Sequence, residues 1–156
     1  MKIVINSCYG GFNLSPLAVK RLAELNGKEC YFFRFDHGNL DTHVPTTAKE
    51  IGTSLFWSAF SVPNPDSHLP KTDRWCVMTP EEKDRVNAAH TQIALSLRPE
   101  DRADPKLVQV VEELGSEKAS GSCAELKVVK IPDGTDYVIE DYDGVESIHE
   151  KHQSWD

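Results

Sequence analysis

No stretch of this sequence approaches the eighteen or so consecutive apolar residues that a membrane-spanning helix needs. Its opening, Met1-Lys2-Ile3-Val4-Ile5, reads as the start of a strand and lacks the charged and apolar regions of a secretion signal. The expected location is therefore the cytoplasm, with no membrane partner. Cysteine is scarce and scattered: Cys8, Cys30, Cys76 and Cys123 form no Cys-x-x-Cys pair, so reduced thiols packed as small hydrophobes are expected. A surplus of positive charge is missing too. Residues 1–103 hold 12 acidic and 12 basic side chains and residues 104–156 hold 13 and 5, so the last third carries the whole net charge of -8. A surface of that sign repels phosphate backbones and disfavours binding to duplex DNA. Dinucleotide, P-loop, Ser-His-Asp, kinase and zinc-deaminase signatures are absent, so the sequence assigns no catalytic residue and implies no cofactor. The six histidines show neither His-x-x-x-His nor His-Glu-x-x-His spacing. His149 and His152 flank Glu150 and read as part of a solvated tail, so no metal site is expected.

What is present is a globular composition, with 39% hydrophobic and 27% charged residues in 156 positions. That suffices for one ordinary core, and a single domain over 1–156 is expected. The fold class reads as α/β, with α+β as the alternative. Lys2–Asn6 is a β-branched run, Ser7–Asn13 a glycine-containing loop, and Ser15 caps a helix over 15–26 that begins at Pro16 and stops at Asn26-Gly27. A strand over Cys30–Phe35 then completes a β-α-β opening, for which a right-handed crossover with parallel strands is expected. Residues 36–75 are punctuated by His37, Gly38, Asn39, Pro45, Pro63, Pro65 and Pro70 and read as a loop-rich insertion with one strand at Leu55–Val62. Thr79-Pro80-Glu81-Glu82 is a capping box that starts a short helix, followed by a strand at Ile93–Leu97. Asp104-Pro105 caps a helix over 105–114 whose apolar face is Leu107, Val110, Val111 and Leu114, and Gly115 ends it. Leu126–Ile131, Tyr137–Tyr142 and Val145–Glu150 read as a three-stranded antiparallel meander turning at Pro132-Asp133-Gly134 and Asp143-Gly144.

Two segments stand out as a candidate site. The loop containing Cys8, Tyr9, Gly10, Gly11 and Phe12 lies between a strand and a helix, where glycines let backbone N–H groups approach an anion. The alternative is a tight connection with Tyr9 and Phe12 packed inward. Arg98 and Arg102 precede the helix at 105–114, and two guanidinium forks suit a phosphate or a carboxylate unless the neighbouring acids occupy them. Cys8 lacks the arginine six residues on that a cysteine phosphatase loop needs, since Leu14 stands there. A two-residue turn at Asp143-Gly144 sets Tyr142 opposite Val145, Asp141 opposite Glu146 and Ile139 opposite Ile148. The two facing carboxylates must then be solvated, the reading preferred here, or neutralised by a cation or a donor group.

Ile3–Ser15 with its Cys-Tyr-Gly-Gly-Phe, Arg98–Gly115 with Asp104-Pro105, and Leu126–Gly144 with Tyr142-Asp143-Gly144 resemble segments of small proteins encoded by bacteriophages and prophages. The resemblance covers about half the chain and is absent from about 36–75. It implies an accessory protein of the host cytoplasm that acts on host defence, including by sequestering cyclic or ADP-ribose-derived nucleotide signals. Three functions follow as expectations. The first is binding of a small phosphate-bearing ligand by Cys8–Phe12, Arg98 and Arg102. The second is nucleotide or nucleoside processing, because the Gly-Gly-Phe loop is similar to that of nucleoside deoxyribosyltransferases, although their nucleophilic carboxylate motif is not identifiable. The third is an inhibitor or adaptor that engages a host protein through its acidic C-terminal strands. Self-association into a homo-oligomer is compatible with each.

Overall fold

The computed structural model describes residues 1–36, 39–52, 54–70 and 77–151; His37, Gly38, Cys76 and His152 lie outside the described residues. Two compact units are present, Met1–Leu22 with Leu97–Asp156, and Ala23–Ser96. Helices and antiparallel strands are mixed, which is the α+β form of the expected class.

In the first unit β1 (Lys2–Asn6) pairs antiparallel with β5 (Leu126–Lys130), from Lys2 opposite Lys130 to Asn6 opposite Leu126. The helix α4 (Pro105–Ala119) packs on both strands. Asp104 caps it by accepting from the Lys106 N–H at 2.8 Å, and Leu107, Val110 and Val111 are buried with Ile3, Val4 and Leu126. Gly115 adopts φ 73 inside this span, so the regular helix breaks where the sequence indicates and a further turn follows. A hairpin completes the unit: β6 (Tyr137–Tyr142) and β7 (Val145–Glu150) pair through Asp143-Gly144, with Tyr142 opposite Val145, Asp141 opposite Glu146 and Ile139 opposite Ile148, as the turn chemistry predicts.

The helix α1 (Pro16–Leu25) follows β1, and Ser15 caps it by accepting from the Ala18 N–H at 3.1 Å. In the second unit β2 (Tyr31–Asp36) lies between β3 (Asn39–Thr46) and β4 (Ser58–Phe60), all antiparallel, with a short helix α2 (Ala48–Ile51) and the longer α3 (Pro80–Ile93). Phe33, Phe60 and Ile93 form its buried cluster. Thr79 and Glu82 make the predicted capping box at the start of α3.

Four expectations are corrected. The parallel β1/β2 crossover does not form, because both edges of β1 are already engaged: β5 takes one, while on the other Val4 N–H donates to Arg102 O at 2.9 Å and Asn6 N–H to the Glu146 carboxylate at 2.8 Å. The C-terminal meander is instead a hairpin plus a separate strand, since Ile131 N–H continues the β5 ladder to Met1 O at 3.0 Å and β6 pairs with β7. Among the described residues of 36–75 there are two strands, an α-helix and a short 3-10 turn at Pro65–Ser67 where the sequence indicates a single strand. Pro45 hid β3; it sits on an edge strand where His43 N–H already points outward to Asp66, so the missing proline N–H takes nothing from the ladder. Finally, α3 runs to Ile93, and the expected strand after it is reduced to a bridge between Ala94 and Phe60.

Candidate functional site

At the C-terminal end of β1 the first unit gathers three connections around Asn6. This side chain is fully buried. Its Nδ2 donates to Cys8 O and to Gly144 O, each at 2.6 Å, and its Oδ1 accepts from the Glu125 N–H at 2.7 Å. One carboxamide therefore ties the 7–13 loop, the β6–β7 turn and the approach to β5. The Gly121 N–H adds a bond to Asn13 O at 2.8 Å. A buried amide with every group satisfied specifies one arrangement of its partners.

The close fit of these connections depends on glycine. A methyl group on Gly144, which has φ 88, would lie 2.3 Å from the Gly11 nitrogen and 2.7 Å from that of Gly10; one on Gly10, at φ 118, would lie 2.4 Å from Cys123 O. The double glycine thus serves contact between backbones. Cys8 turns inward, its thiol 3.6 Å from Asn6 Oδ1 and 3.5 Å from Cys123 O.

Beside Asn6, Glu146 bridges the strand end to Arg102. Glu146 Oε2 accepts from the Asn6 N–H, and Oε1 accepts from Arg102 Nη2 at 3.1 Å. The two side chains are only 6% and 16% exposed. The guanidinium carbon lies over the Phe12 ring, 3.3 Å from its centre, while Phe12 itself is buried. Arg102 Nη1 is buried and has no hydrogen-bond partner among the described residues. Burial draws the Arg102 pKa below its ordinary value; the Glu146 charge opposes this, the nearby Arg98 adds to it, and Asp141 opposes it. Arg102 nonetheless remains a cation.

The structure therefore brings Phe12 and Arg102 into contact and sets Arg98, which is exposed, near enough for its charge to act on Arg102. It turns Cys8 and Phe12 inward and Tyr9 outward, at 68% exposure. On the other side of the glycine contact stands Tyr142, at 80% exposure, with Asp141 and Asp143 exposed beside it. Solvation of the facing carboxylates is corrected for Glu146, which the Arg102 cation and the Asn6 N–H donor neutralise instead. Sequence reasoning missed Asn6 and Glu146 as the organising pair. The like-charged pairing of Asp141 with Glu146 was the available signal for Glu146, and nothing local marked Asn6. An open groove of about 660 Å³ lies elsewhere on this unit, along Lys2, Ala103, Pro105, Val108 and Glu112, and neither the 7–13 loop nor the two arginines line it. No protein-family model, curated protein or solved structure matches the chain.

Proposed function

We propose that this chain is a protein-binding module, an inhibitor or adaptor whose acidic loop end engages a basic surface of a partner protein. The observation that carries the reading is the pair of exposed tyrosines, Tyr9 in the 7–13 loop and Tyr142 at the end of β6, beside the close contact of Gly10 and Gly11 with Gly144. Tyrosine gives a large amphipathic contact at small entropic cost, and a preformed loop arrangement lowers the cost of ordering on binding. The exposed carboxylates of Asp141 and Asp143 give this end its sign and favour lysine and arginine on the partner. The resemblance to phage proteins supports a host protein in that role.

The test is capture from bacterial lysate by wild type and by the Tyr9→Ala/Tyr142→Ala variant, with each co-purifying protein quantified. The proposal expects at least one basic protein to fall about tenfold in the variant, the scale of truncating an aromatic hot spot, and to elute with salt. An identical set of captured proteins would count against it.

A second reading, binding of a small phosphate-bearing ligand, is favoured by the proximity of Arg98 to Arg102 and by the partnerless Arg102 Nη1. It predicts that Arg98→Ala weakens nucleotide binding by about 1.5–3 kcal/mol in calorimetric titration. The inward Arg102–Glu146 pair and the carboxylates of the loop end weigh against it.

A further inference from the structure

The strand β5 has one paired edge and one open edge. Ser7 N–H donates to Glu125 O at 2.8 Å and Ile131 N–H to Met1 O at 3.0 Å, so the odd-numbered positions of β5 face the β1 ladder. The backbone groups of Leu126, Val128 and Lys130 must then point away from β1. Leu126 N–H confirms the direction, donating outward to Ser120 Oγ at 2.8 Å. Beyond that single cap, the N–H groups of Val128 and Lys130 have no protein acceptor among the described residues. The side chains of Lys127 and Lys130 are exposed, and neither has a carboxylate partner among the described residues. In a region with 13 acidic and 5 basic residues, the open edge carries two unopposed cations.

We propose that this edge accepts an added strand from an extended acidic peptide segment. Its backbone would pair with Val128 and Lys130, and two of its carboxylates, three residues apart, would stand against Lys127 and Lys130. The spacing follows from register: Lys127 and Lys130 lie on opposite faces of the strand, so an alternating acidic pattern with one face charged matches only one of them. The same charges disfavour a second copy on this edge. A two-fold antiparallel pairing centred on Val128 would crowd four lysines along one seam, and lysine is the residue that keeps like edges apart.

The probe is the capped hexapeptide Thr-Glu-Val-Val-Glu-Thr, titrated into the full chain while backbone amide shifts and exchange are followed. The Val128 and Lys130 amides are expected to shift and to exchange more slowly. Replacing both glutamates by lysine should weaken binding by about tenfold or more. N-methylation of the peptide amides that face β5 should abolish binding, whereas methylation of the opposite edge should leave it. The variant Lys127→Glu/Lys130→Glu should lose the acidic peptide and accept the lysine one. Unmoved Val128 and Lys130 amides at millimolar peptide would overturn the proposal, as would a response indifferent to charge reversal and to methylation. Dimerisation of the chain through this edge would also overturn it, in favour of a second copy.

Discussion

Asn6 and Glu146 stand 140 positions apart and meet through one hydrogen bond of 2.8 Å. Around that contact the Asn6 carboxamide holds two loops and a turn, while the Glu146 carboxylate divides its oxygens between Asn6 and Arg102. The buried ion pair contributes specificity more than stability, because desolvating both charges offsets most of their attraction, yet removing one partner leaves the other buried without compensation. Glu146→Gln is therefore expected to destabilise the protein by about 3 kcal/mol, the low end of unpairing a buried ion. Arg102→Met with Glu146→Gln should cost less than the two changes summed, with a coupling of about 1 kcal/mol or more in a double-mutant cycle from denaturant unfolding. Costs that add to within about 0.5 kcal/mol would mean that the two side chains do not act as a pair.

At the scale of elements, the β6–β7 turn and the 7–13 loop hold each other by backbone contact, which can be tested against a control turn. Gly134 and Gly144 have similar φ values, 80 and 88, but only Gly144 has neighbours where a methyl group would go. Gly134→Ala should cost only backbone strain, about 1–2 kcal/mol. Gly144→Ala should cost more and should shift the amide resonances of Gly10 and Gly11, which Gly134→Ala should leave in place. The same contrast between local and distant causes explains what the sequence makes legible. Caps at Ser15, Thr79 and Asp104, the break at Gly115 and the pairing across Asp143-Gly144 are set within a few residues, and each is read correctly. The partners of β1 and β5 are not, because strand propensity is local while the choice of edge is settled by distant groups such as Arg102 O and Glu146. The site is legible to the same extent. Phe12 and Arg102 do meet, but that they meet over an inward ion pair depends on Asn6 and Glu146, whose pairing has no local signature.

Across the whole chain, the net charge of -8 comes from residues 104–156, and that sign is the reason a basic partner is proposed. No mobility shift of duplex DNA is expected at physiological salt, since each phosphate contact would need a cation and the cations are matched or outnumbered by acids. A shift that persists at that salt would contradict the charge argument. The most direct test of the central claim, that the acidic loop end is the binding surface, is hydrogen exchange on the chain with and without a partner recovered by capture. Slowed exchange is expected to concentrate in residues 7–13 and 141–146, with no matching change when the Tyr9→Ala/Tyr142→Ala variant is mixed with the same partner. Slowing confined to residues 31–60, or to the groove along Lys2 and Val108, would contradict it.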